Sequence, residues 1–269
     1  MVECLPCVGG GGVPSLLRVS YCVVRLFRAG GGSVPVSAVG EGSCLGAAAF
    51  LAYFGGLGPW GAAVWVGRPS LAGFFRDVSS FIDFLGVEGA EAVVGVGERL
   101  RFGVGHVRAS KAVRDALALV DVFEGVLPDK VGWAPIALAG AALMEIGLPY
   151  GVEGHAARSA ALAKSAPEVL AGIGVESAEA LYYAIKYHVP GSGDPRDDPE
   201  LPESVAWESA VASAILKVAA VTSNYPDPVE ALIDPPWLRV GVGGESPPHL
   251  LKAAEHLARL AGLRPARLG

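Results

Sequence analysis

Apolar positions fall in two rhythms along this chain, and the change between them suggests two parts. Val2 to Val8 reads as a first strand. Leu16, Val19, Val23, Leu26 and Phe27 then recur at helical spacing behind Pro14, a favourable first helical residue, and Gly30-Gly31-Gly32 ends the run. Val34, Val36 and Val39 form a β-prone stretch, Gly40-Glu41-Gly42-Ser43 a turn, and Cys44 to Phe54 an alanine-rich helix. Ala62 to Val66 follows as a strand and Ser70 to Leu85 as a helix with Phe74, Phe75, Val78, Phe81 and Ile82 on its apolar side. Ala90 to Val96 and Val122 to Leu127 read as strands around a helix from Ala109 to Val120. Strands alternating with helices predict an α/β fold with a doubly wound parallel sheet.

From Pro128 the pattern becomes more helical. Ile136 to Ile146 is one long apolar helix, and Leu148-Pro149-Tyr150-Gly151 is a turn. Ser165-Ala166-Pro167-Glu168 has the form of a capping box, and Ser177 is placed to cap a helix running to Tyr187. Pro190 to Pro202 is a polar, proline-rich loop, Glu203 to Val221 a helix, and Trp237 to Val242 a strand. Ser246 and Pro247 open a last helix that Gly262 closes. The expected division is one α/β subdomain over residues 1–127 and a more helical one over 128–269.

Composition narrows the function classes. Of 269 residues, 52% are hydrophobic and 18% charged, enough to bury a large core. The formal net charge of −6 argues against nucleic acid as a partner, because phosphate binding needs a basic face. No apolar run reaches the roughly 18 uncharged residues of a membrane span. The first residues carry Glu3 and no basic leader, so a cytoplasmic location is expected. Cys4-x-x-Cys7 has the spacing of half a zinc site, yet no second pair follows, and both cysteines read as small apolar residues of a first strand. Cys22 and Cys44 fall in apolar helical runs.

Gly40-x-Gly42-Ser43-x-x-Gly46 is the clearest site signal. Glycines admit an anion to backbone N–H groups at a helix start, and Ser43 adds a hydroxyl. The five histidines occur at no metal-ligand spacing, so no metal and no cofactor is assigned. His188, just before the long loop, is the isolated candidate for acid–base chemistry. His249 and His256 read as a surface pair on one helix face. Asp194, Asp197, Asp198 and Glu200 read as solvated loop charge, and Glu208 and Lys217 as solvated helix positions.

Taken in order, these segments resemble the sugar isomerase (SIS) domain family, with the archaeal-type bifunctional phosphoglucose/phosphomannose isomerases nearest. The resemblance rests on V-G-E-G-S-C-L-G for the first glycine loop and S-L-A-G-F-F from Ser70 for the phosphate loop. A-V-V-G-V and the leucine-proline turn with its long apolar helix, L-P-D-K-V-G-W-A-P-I, continue it. It implies two α/β halves, a phosphorylated sugar as ligand, aldose–ketose isomerisation, and a homodimer. Gly40, Gly42, Ser43 and Ser70 would hold the phosphate. The departures lie in the catalytic positions. Ala72 and Phe75 replace a serine and a threonine, and the helix carrying Ser213 and Lys217 lacks the family's glutamate. Isomerisation needs a base and an acid in reach, so His188, His155 or Glu145 would have to supply it. A non-catalytic sugar-phosphate module and an NADP-dependent oxidoreductase, with Arg68 on the 2′-phosphate, are the competing readings.

Overall fold

The computed structural model describes residues 2–4, 21–27, 33–39, 78–103 and 105–268. The chain divides into two compact units, Met1–Ser79 and Ser80–Gly269. The expected division after Leu127 falls inside the second of these, between two helices that pack on each other.

In the first unit three strands form an antiparallel sheet: β1 (Val2–Cys4), β2 (Tyr21–Phe27) and β3 (Ser33–Val39), with β2 in the centre. The β2–β3 register runs from Tyr21 opposite Val39 to Phe27 opposite Ser33. Pro35, which has no N–H to donate, sits in an outer strand of this sheet, where it is tolerated. The expected strands at Val2 and Val34 are present. The expected helix over Leu16 to Phe27 is not: Tyr21–Phe27 is strand. Its sequence, Y-C-V-V-R-L-F, is aromatic and β-branched, and a short apolar run does not separate the two periods. Cys4 and Cys22 lie in β1 and β2. Cys7, Cys44, the expected strand at Ala62 and the glycine and phosphate loops at Gly40, Gly42, Ser43 and Ser70 lie outside the described residues.

The second unit is built mainly of helices: α1 (Val78–Arg99), α2 (His106–Phe123), α3 (Lys130–Leu143), α4 (His155–Ser165), α5 (Pro167–Ile173), α6 (Val175–Lys186), α7 (Ala206–Thr222) and α8 (Pro248–Leu260). A small mixed sheet of β4 (Val229–Asp234), β5 (Trp237–Val242) and β6 (Arg264–Arg267) completes it, β4–β5 antiparallel and β5–β6 parallel. The class is therefore mixed α/β. Among the described residues the strands form two three-stranded sheets and no doubly wound parallel sheet.

Helix α7 is the core. Every residue from Ser209 to Thr222 is buried, and α2, α3, α6 and α8 pack around it. By length and composition this helix could cross a bilayer, yet 83% of its apolar window is buried inside the unit. Trp133, Phe123, Leu138, Ile185 and Leu181 fill the space between the helices. Three cationic or acidic residues of α2 fix the chain entering the sheet. Lys111 Nζ donates to Tyr225 O, Arg114 Nη2 donates to Asp227 O, and Asp115 Oδ1 accepts the Val229 N–H at 3.2 Å.

Two expected strands are absent, one replaced by helix and the other largely by a turn. Ala90 to Val96 belongs to α1, with Ala90, Val93 and Val94 buried at helical spacing. Val122 begins inside the last turn of α2, and only an isolated bridge joins Glu124 to Leu127. Packing overrode β-propensity in the first, and Gly125 at φ 79° turns the chain in the second. The helices expected at Ala109, Ile136, Glu203 and Pro248 are present with shifted ends. Neither serine cap forms. Ser165 Oγ donates to Leu162 O while Glu168 pairs with Arg99, and Ser246 Oγ donates to Val240 O. Helix α6 starts at Val175, so Ser177 lies inside it.

Candidate metal centre

The three residues that the sequence offered for acid–base chemistry meet in space. Glu145 follows α3, His155 opens α4, and His188 follows α6. One ligand atom from each lies within 4.8 Å of the others. The two imidazole rings stand edge to face with centroids 5.2 Å apart.

Local sequence explains how Glu145 reaches His155. The stretch E-I-G-L-P-Y-G leaves α3 through a short 3-10 turn, Leu148–Tyr150, and returns into α4. Gly147 touches the first turn of α4 directly. A Cβ there would lie 2.6 Å from Ser159 N and 2.8 Å from His155 O, so glycine alone fits. In return the buried Ser159 Oγ accepts the Gly147 N–H at 2.8 Å. Arg158 donates to the carbonyls of Gly147, Gly151 and Glu153, clamping the turn. Gly103 presses on Glu145 from the other side, where a Cβ would fall 1.7 Å from Glu145 O.

Both imidazoles have defined tautomers. His155 Nδ1 sits 2.9 Å from Val152 O and His188 Nδ1 2.7 Å from Ile185 O. A carbonyl can only accept, so each Nδ1 carries hydrogen, and in the neutral ring the lone pair is on Nε2. This is the arrangement that outer-shell partners impose on metal-binding histidines. Burial pushes the His188 imidazole down to about 4, with His155 and Arg108 adding to the effect against the Ile185 carbonyl bond. It is therefore neutral at physiological pH.

The carboxylate completes the set. Arg108 Nη2 donates to Glu145 Oε1 at 3.0 Å, and its Nε reaches Ser223 Oγ at 3.5 Å. Glu145 Oε2 is left facing His155 Nε2 at 3.6 Å, which is too long for a hydrogen bond. Two ligands at about 2.1 Å from a tetrahedral ion stand about 3.4 Å apart, close to that separation.

The sequence named all three residues but as alternatives to one another. It assigned no metal because they come from separate segments and match no ligand spacing. The neighbouring Arg108 and Ser223 went unnoticed. No sequence signal joins Arg108 to Glu145, since their meeting depends on how α2 packs on α3.

A second polar cluster surrounds α7 and α8. Lys217 is only 5% exposed. It is not a solvated helix residue but donates to Gly193 O at 2.7 Å and approaches His256 Nδ1 at 3.2 Å. His256, expected at the surface, is buried, and its Nε2 lies 2.9 Å from Asp194 Oδ2. His249 is the exposed member of the expected pair and meets Tyr225 Oη at 2.9 Å. The acidic loop is also partnered: Asp194 with Arg196, and Asp198 with Lys186 and Tyr187. A comparison with known proteins finds no matching family model and no matching curated protein.

Proposed function

We propose that the second unit holds a divalent metal ion on Glu145, His155 and His188, and that this ion serves a reaction on a small phosphorylated sugar. The observation that carries the metal is the convergence of three ligand atoms within 4.8 Å, with both Nδ1 atoms occupied by carbonyls. Two imidazoles and one carboxylate suit zinc or another first-row ion and leave at least one coordination position open. Such an ion polarises a carbonyl or hydroxyl oxygen, or brings the pKa of a bound water to near 7. Arg108, about one-third exposed, stands beside the carboxylate with a charge suited to an anionic substrate.

The substrate class comes from the sequence resemblance and not from the metal geometry. Aldose–ketose isomerisation of a phosphosugar is the reaction to assay first, in a cytoplasmic protein that dimerises as SIS proteins do. The doubly wound SIS architecture belongs to the same reading.

The test is direct. Protein dialysed against a chelator is titrated with Zn²⁺ and Co²⁺, then assayed with glucose 6-phosphate and mannose 6-phosphate with and without metal. One metal bound per chain and a metal-dependent turnover supports the whole reading. Metal bound without turnover removes the isomerase and keeps a binding site. No metal retained at micromolar concentration contradicts the central part.

A further inference from the structure

We propose that Lys217 is a nucleophilic amine that forms a Schiff base with a small aldehyde or ketone in the cavity between α7, α8 and the loop after α6. The metal reading is not needed for this, because the residues and the cavity are different ones.

The cavity has a volume of about 230 Å³, and Lys217, His256, Asp194, Gly193, Lys252 and Arg259 are among its lining residues. That is room for a compound of several heavy atoms and too small for a large cofactor. Lys217 reaches it from the one stripe of polar residues on a buried helix. Ser209, Ser213 and Lys217 follow one another every fourth position. Ser209 donates to Val205 O one turn back at 2.6 Å, whereas Ser213 and Lys217 donate to Tyr187 O and Gly193 O, holding the end of α6 and its loop against α7. Lys217 places a nitrogen at the loop where Ser213 places a hydroxyl one turn earlier.

The hydrogen bonds fix the direction of proton flow. Asp194 is held as a carboxylate. Burial works against it, but the Arg196 side chain and N–H, with His256, outweigh that and keep it well below the usual carboxylate range. The carboxylate accepts from His256 Nε2–H, so His256 Nδ1 carries the lone pair that faces Lys217. A lysine nitrogen has three positions besides its carbon. Two are taken by Gly193 O and His256 Nδ1, and both are satisfied by the two hydrogens of a neutral amine. The third position is then a lone pair. The cluster thus tolerates a neutral Lys217 without losing a hydrogen bond. Burial, with Arg259 adding to it and Asp194 opposing, brings this amine down to about 8.

The step balances without an added reagent. The Nζ lone pair attacks the carbonyl carbon and the C=O π pair moves to oxygen. A proton leaves nitrogen through His256 Nδ1 and is delivered to that oxygen. The second nitrogen proton reaches the resulting hydroxyl by the same route, the C–O bond breaks and water departs as the nitrogen pair forms C=N. Net, amine and carbonyl give imine and water, with no change of oxidation state. His256 carries the proton and Asp194 positions it.

The experiment is reductive trapping in the full chain. Protein is incubated with glycolaldehyde, and separately with pyruvate, in the presence of sodium cyanoborohydride at pH 7, and the labelled lysines are quantified by peptide mass spectrometry. Lys252 lines the same cavity and is the internal reference. Lys217 is expected to label at least tenfold faster than Lys252 with one of the two probes. His256→Gln, which keeps a similar volume and loses the Nδ1 lone pair, is expected to slow Lys217 labelling at least fivefold while Lys252 is unchanged. Labelling of Lys217 no faster than Lys252 with both probes overturns the proposal. So does a His256→Gln protein that folds and labels Lys217 at the original rate.

Discussion

The second unit holds two histidine clusters that differ in what occupies the other ring nitrogen. In the Glu145–His155–His188 cluster both imidazoles spend Nδ1–H on backbone carbonyls, leaving acceptors that converge with a carboxylate. In the Asp194–His256–Lys217 cluster the imidazole lies between a carboxylate and an amine, so donors and acceptors already alternate. The first set turns three acceptors toward one point, and the second pairs an acceptor with an amine. The same side chain is thus prepared as a metal ligand in one place and as a proton carrier in the other. The difference is made by whatever faces the second nitrogen.

The largest effect expected from breaking this contrast is at the first cluster. Glu145→Ala or His188→Ala should lower Zn²⁺ affinity about a hundredfold or more, since each removes one of three protein ligands. In the wild type, Zn²⁺ at a hundred times its dissociation constant should stabilise the fold by about 2.7 kcal/mol. The melting temperature should rise by several degrees in the wild type and not in either variant. A shift that persists in both would place the ion elsewhere.

Gly147→Ala comes next. Its Cβ would press on backbone atoms of α4 at 2.6 and 2.8 Å, which cannot move aside as a side-chain tip can. Overpacking of this kind costs about 1–3 kcal/mol, read as a lower denaturation midpoint. Metal affinity should fall with it, because the turn sets how Glu145 meets His155. A variant as stable as the wild type would show that the turn is not held where it is described.

The second cluster gives a pH-dependent signature. Folding lowers the Lys217 amine from its ordinary 10.5 to about 8. Below about 8 the ammonium is charged in both states, and its burial cost is borne in full. Between 8 and 10.5 the unfolded chain keeps the proton that the folded chain has released, so stability rises with pH. Relative to Lys217→Met, the wild type should therefore gain stability across that window, by up to about 3 kcal/mol. A constant difference between the two proteins would mean that Lys217 titrates normally. The smallest effect expected is at Arg99–Glu168, an exposed pair. Glu168→Gln should leave metal affinity, Lys217 labelling and melting temperature unchanged, which makes it the control for the other variants.

Much of the helical framework was legible from apolar spacing, as at Ala109 and Pro248, where one face is buried and the other wet. Ala90 to Val96 was misread because valines favour strands locally, and only the packing of α1 decides otherwise. Glu145, His155 and His188 were each visible as chemistry-bearing residues. Their meeting was not, because it depends on a glycine contact at Gly147 and on how α3, α4 and α6 pack. Lys217 carried a readable signal: the one basic residue in a long apolar helix, four and eight residues after two serines. Its neighbours' apolar character marked burial, and treating it as an ordinary surface lysine missed that.

The measurement that bears most directly on the central claim is a Co²⁺ titration of chelator-treated protein, followed by absorption spectroscopy. The account predicts one equivalent bound with the spectrum of nitrogen and oxygen ligands, without thiolate-to-cobalt charge transfer, and lost together in Glu145→Ala, His155→Ala and His188→Ala. A thiolate spectrum, or binding that survives all three substitutions, would contradict it.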